Sequence, residues 1–163
     1  MIKTSLRSSH RLNIELLATE WNRRIIVIKV KLTDIIEAIE STDQNSEYFL
    51  DRENGEIVYI NTMAMDPTEQ EQICEQLDEH GFYRLPTSYD IDDYGIMENF
   101  SSQHSGIQAD RLFDAINGRG AFSRFKREVR SLGIEQEWYA FRDAAYKQKA
   151  IEWCEENDLE WQE

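Results

Sequence analysis

The segment Ala115–Arg130, AINGRGAFSRFKREVR, gathers Arg119, Arg124, Lys126, Arg127 and Arg130 in a chain whose formal charge is −14. Cations beside glycines point to an anion. Gly118 and Gly120 permit backbone angles that turn several N–H groups inward just before a helix starting near Ala121. A helix N-terminus carries partial positive charge, and Arg119 adds a fork of donors. Gly118, Arg119, Gly120 and Ala121 thus form a candidate anion site, with Arg119 and Arg124 as clamps and Lys126 beside them. The same pattern has a structural explanation. Gly118 ends one helix, Gly120 opens the next, and the arginines pair with carboxylates of this chain. Glycine punctuation between helices is common, and neither the dinucleotide fingerprint nor the Walker pattern is present, so the segment alone does not decide.

Other chemistries find less support. DIDDYG, Asp90–Gly95, resembles the start of a calcium loop, but position 5 is Tyr94 and position 12 is Ser101, where oxygen ligands are needed. Carboxylates in the first turn of a helix explain it more simply. His80 falls at a helix end, His104 in the polar SSQHSG, and His10 in a weakly patterned tail. No H-E-x-x-H, G-x-S-x-G or cysteine–histidine signature occurs. Cys74 and Cys154 are two thiols in helical segments, too few for a disulfide framework or a zinc site. No catalytic residue is assigned, and no metal or cofactor is expected.

The elements that must position the basic segment are mostly legible. RIIVIKVK, Arg24–Lys31, is β-branched and predicts a strand. TDIIEAIES predicts a short helix capped by Thr33, with Ile35, Ile36 and Ile39 on one face. EYFLD and EIVYI flank RENG, where Asn54-Gly55 supplies a hairpin turn. DPTEQEQICEQLDEHG predicts a helix capped by Asp66, with Pro67 in its first turn, Glu69 completing a capping box, and Gly81 as its stop. Ile73 and Leu77 form its inner stripe. FYRL is a last short strand before Pro86. This β-α-β-β-α-β order permits a ferredoxin-like sheet.

From Ser88 onward the pattern is helical, with no strand signal. SGIQADRLFDAIN carries Ile107, Leu112, Phe113 and Ile116, and AFSRFKREVRSLG carries Phe122, Phe125, Val129 and Leu132 as a core stripe. The final helix, EQEWYAFRDAAYKQKAIEWCEEND, has a broad aromatic face around Trp138 and Phe141. A residual exposed strip of Tyr146, Trp153 and Trp161 would mark a partner surface.

Charge is uneven. Residues 1–28 hold five basic and two acidic residues, 29–100 hold four and eighteen, 101–130 hold six and three, and 131–163 hold three and nine. Such a chain is repelled by nucleic acid and anionic membranes unless one basic patch faces them. No apolar run reaches the roughly 18 residues of a membrane span, and residues 1–28 lack a secretory apolar core. The expected organisation is a weakly ordered extension over 1–24 and one α+β domain over 25–163, its sheet part in 25–87 and its helical part in 88–163.

GRGAFSRFK followed by EQEWYAFRDAAYKQKAIEWCEEN resembles uncharacterised protein family 0158 of bacteria. YRLPTSYDIDDYGIMENF and EYFLDRENGEIVYI are similar to the same family's pattern, in the same order. The resemblance spans about residues 29–163 and implies a bacterial, cytosolic, small α+β protein, with no reaction, ligand or partner attached. The expected function is non-catalytic binding or regulation in the cytoplasm through protein contacts, the acidic 29–100 surface facing a basic partner. The alternative is phosphate or nucleic-acid-backbone binding through Gly118–Arg130.

Overall fold

The computed structural model describes residues 29–43, 45–61, 63, 65–79 and 81–163. The expected extension over 1–24, the beginning of the first strand, and His10 and His80 lie outside the described residues. Strand β1 (Lys29–Lys31) runs straight into α1 (Leu32–Ser41). The helix therefore starts one residue before Thr33, which is not its cap; its hydroxyl donates to Asp34 instead. Leu32, Ile35, Ala38 and Ile39 recur at helical spacing and bury one face.

The hairpin forms as read. β2 (Ser46–Asp51) and β3 (Ile57–Asn61) are antiparallel, with Tyr48 opposite Tyr59 and Leu50 opposite Ile57. Gly55 sits at φ 76° in the turn, where a β-carbon would be strained. α2 (Pro67–Glu79) follows, with the Asp66 carboxylate accepting from the N–H groups of Thr68 and Glu69. β4 (Phe82–Arg84) returns along the other side of β2.

The element order is β-α-β-β-α-β, yet the strands do not gather in one ferredoxin-like sheet. The three-stranded sheet has the order β3-β2-β4, while β1 pairs in parallel with β5 (Glu160–Gln162) at the other end of the chain. β5 escaped the sequence reading because three residues, Glu-Trp-Gln, carry no strand periodicity. Its partner is supplied only by the tertiary fold.

Between them lie α3 (Ser88–Ile91), α4 (Asp93–Ser102), α5 (Ile107–Ile116), α6 (Ala121–Leu132) and α7 (Glu135–Glu156). Among the described residues no helix is long and apolar enough to cross a membrane. The Asp90 carboxylate accepts from the Thr87 hydroxyl and N–H, and these bonds hold its pKa below the ordinary carboxylate value. A depressed acid stabilises the fold above its unfolded pKa and loses that contribution as pH falls through the folded one. The stability gap between wild type and Asp90→Ala, followed as urea midpoints, is therefore expected to narrow as pH drops below the carboxylate range.

One core runs from Val30 to Leu159 and joins α1, one sheet face and the helical half. Its centre is aromatic: Phe100, Phe125 and Trp138 meet edge to face, with Phe125 and Trp138 centroids 4.8 Å apart. Tyr146 and Trp153 belong to this core, so the exposed strip expected with Trp161 does not exist. The Trp153 indole N–H donates to the Arg84 carbonyl, and the Tyr146 hydroxyl donates to Asp93, which lets both polar tips be buried. Two expected core residues are exposed instead, Ile107 at the first turn of α5 and Phe122 at the first turn of α6. Phe49 is fully buried but outside the main core, on the sheet face toward α2.

Candidate functional site

Gly118 and Gly120 adopt left-handed angles, φ 77° and 80°, and join α5 to α6. α6 opens on Gly120 with no side-chain cap and no acidic residue in its first turn. Arg119 is exposed and makes no ion pair among the described residues. Lys126 lies with its ammonium 4.7 Å from the centre of the Phe122 ring, which explains why that ring stays at the surface.

Arg124 is not a clamp facing outward. Its Nε donates to the Ala115 carbonyl at 3.1 Å, Nη2 donates to the carbonyls of Gly118 (3.1 Å) and Asn117, and Nη1 donates to Arg119. Left-handed glycines turn carbonyl oxygens, rather than N–H groups, into the hollow of the loop, and the chain's own guanidinium fills it. The carbonyls of Ala115 in the last turn of α5 and of Asn117, Gly118 and Arg119 in the loop beyond it have no helical donors, and a planar cation with a fork of donors satisfies them. Nor is Arg130 free: it pairs with Glu135 at 3.0 Å. Arg111, outside the segment, pairs with Glu128 and donates to Ser131. Of the candidate residues, Gly118, Arg119, Gly120 and Ala121 lie together at the start of α6, with Lys126 and Arg127 exposed in its second turn.

A second place was not singled out from sequence. Between α1 and the hairpin runs an open groove of about 570 Å³, lined by Asp34, Glu37, Ala38, Tyr48, Glu56 and Ile57, among others. Asp34, Glu37 and Glu56 are exposed and have no cationic partner among the described residues. The signal was present only in part. Asp34 and Glu37 are three apart on the polar side of α1, but Glu56 reaches them through the fold of the hairpin.

The remaining polar clusters hold elements together. Arg84 bridges β4 to Glu47 on β2 at 2.7 Å, Gln70 of α2 donates to the same carboxylate, and Cys74 lies beside both. Arg142 lies over the Tyr146 ring and reaches Glu40 of α1 at 3.8 Å. Burial raises the Tyr146 phenol pKa. The His104 ring lies tilted against Phe100, with Nδ1 3.0 Å from that residue's carbonyl oxygen. Among the described residues no three His, Cys, Asp or Glu side chains are grouped to hold a metal ion.

Both cysteines are free. Cys154 is wholly buried, and burial pushes its thiol pKa up to about 11; burial also raises half-buried Cys74. Since the thiolate is the reactive species, native protein is expected to take up one equivalent of iodoacetamide slowly, at Cys74. Peptide mapping checks this, with Cys154 labelled only after denaturation.

With this geometry in hand, comparison with known proteins adds one result: the profile of an uncharacterised protein family, UPF0158, matches residues 24–162. The chain belongs to that family. The match begins at Arg24, so the family's segment takes in five residues more at its start than the sequence motifs suggested. No curated protein and no solved structure matches the chain.

Proposed function

We propose that this protein is a non-catalytic binding or regulatory protein of the bacterial cytosol, working through protein–protein contacts, with its acidic sheet half turned to a basic partner. The observation that carries this reading is uncompensated charge. Residues 29–100 hold eighteen acidic and four basic side chains. Among the described carboxylates of that half, only Glu40 and Glu47 make ion pairs. Carboxylates left facing water create a negative field that speeds encounter with a cationic surface and selects against acidic ones. The test is affinity capture from the cognate cytosol in low salt. A partner released by salt and lost when Glu37, Glu53, Glu56 and Glu71 are changed together to Gln supports the reading; capture indifferent to both contradicts it.

A second reading rests on the uncapped start of α6 and the unpaired Arg119, Lys126 and Arg127 beside it. These groups suit phosphate or a nucleic-acid backbone without the help of Arg124. Affinity for a fluorescent oligonucleotide would then fall steeply with salt and with joint replacement of the three cations by alanine. Binding unchanged in that triple variant removes this reading.

A further inference from the structure

β3 lies at the end of its sheet, with β2 its one strand neighbour among the described residues. Edge strands are commonly blunted by charge, proline or a bulge. Ile57–Val58–Tyr59–Ile60–Asn61 carries no charge and no proline, and Val58 and Tyr59 are exposed.

The ladder tells which backbone groups are free. The Asp51 N–H donates to the Glu56 carbonyl at 2.8 Å and the Asp51 carbonyl accepts from the Gly55 N–H, so Asp51 turns its backbone groups toward the turn and β3, one step beyond the Leu50–Ile57 pair. Bonded and non-bonded pairs alternate along an antiparallel ladder. Phe49 and Val58 are then bonded to each other, while Tyr48 and Leu50 turn their backbone groups to β4. The bond from the Leu85 N–H to the Tyr48 carbonyl, 2.8 Å, agrees with this. Ile57 and Tyr59 therefore direct their N–H and C=O groups away from β2, toward the open side.

Side chains of a strand alternate between faces, and directly opposed residues share one. Residues of an incoming antiparallel strand that bond to Ile57 and Tyr59 would project to the face those two occupy. That face holds the groove with Asp34, Glu37 and Glu56.

We propose that an extended peptide segment of a partner protein, with Lys or Arg at alternate positions, adds as a fourth strand beside β3 and places its cationic side chains in the groove between α1 and the hairpin. The proposal rests on the acidic-surface reading above and deepens it. The charge of the groove, three carboxylates without a cation among the described residues, selects the occupant. Main-chain bonds supply affinity in such strand addition, and alternate side chains supply specificity.

The test uses the full chain and three nine-residue peptides of alternating Lys and Thr or Val, titrated calorimetrically at low salt. One peptide is unmodified, one is N-methylated at its lysines, and one is N-methylated at the intervening residues. Lysine methylation, which blocks the N–H groups facing β3, is expected to weaken binding at least about 10-fold; methylation between them is expected to be tolerated. Tyr59→Pro removes one outward N–H without touching the β2 ladder, and it is expected to weaken the unmodified peptide similarly. Glu37→Gln with Glu56→Gln is expected to flatten the salt dependence. Equal binding of all three peptides overturns strand addition but leaves the acidic-surface reading standing. Absence of binding by any peptide overturns strand addition, while the acidic-surface reading stands or falls on the salt-released capture. Sedimentation as a dimer that Tyr59→Pro dissociates overturns the proposal in favour of a second copy at this edge.

Discussion

Replacing Phe125 by alanine is expected to lower stability by about 3–5 kcal/mol, the range for deleting a fully buried aromatic ring. Phe125 has no exposed surface and packs against both Phe100 of α4 and Trp138 of α7, which also touch each other. These three rings pack α4, α6 and α7 against one another, so the cavity left by truncation cannot close without moving a helix. A domain of this size is marginally stable, by about 5–15 kcal/mol, and such a loss moves it close to unfolding at ambient temperature. Urea titration followed by tryptophan fluorescence measures the effect. Phe122→Ala, one turn earlier, is expected to change stability by less than about 1 kcal/mol, because that ring stays at the surface under Lys126. Equal losses at the two positions would contradict the assignment of the core.

The second large effect belongs to Arg124. Its guanidinium satisfies carbonyls of Ala115, Asn117, Gly118 and Arg119. Hydrogen bonds from a charged donor contribute about 1.5–3 kcal/mol each when buried, but this loop is partly open, and water replaces several of them. A net loss of about 2 kcal/mol is expected for Arg124→Ala. Arg124→Lys is expected to recover less than half of it, since one ammonium cannot span four oxygens. Arg119→Ala is expected to leave stability within about 0.5 kcal/mol, as for an exposed side chain without a partner. The pair of measurements separates a structural arginine from one available to a ligand, two residues that look alike in the string GRGAFSR.

That contrast also marks the limit of what the residues reveal before folding. Local chemistry was legible wherever it is strong. Asn54-Gly55 announced the hairpin, Asp66-Pro67 the start of α2, and the spacing of Phe125 and Val129 the inner face of α6. Long-range pairing was not legible. Nothing in Glu160–Gln162 indicates that it would lie beside Lys29–Lys31, and so the expected single sheet became two. Spacing alone reads Phe122 as core, but it lies exposed in the first turn of α6 with the Lys126 ammonium over its ring. At the candidate site, the sequence reads Gly118 and Gly120 as free to take unusual backbone angles, and both are left-handed. Which backbone atoms they turn inward depends on both torsions and on the neighbouring arginine, and sequence carries neither. The acidic groove was legible only as an excess of Asp and Glu over residues 29–100. Its position beside an open strand edge comes from packing α1 on the hairpin.

The two functional readings place the working surface on opposite charges of one molecule, which makes them separable. Once a partner is in hand, the deciding measurement is its association rate by stopped flow from about 20 to 500 mM salt. Wild type would be compared with the Glu37, Glu53, Glu56 and Glu71 to Gln variant and with the Arg119, Lys126 and Arg127 to Ala variant. The acidic-surface account predicts a rate that falls at least about 10-fold with salt, is reduced in the first variant, and is unchanged or raised in the second. A rate that salt does not alter, or that only the second variant lowers, would contradict it.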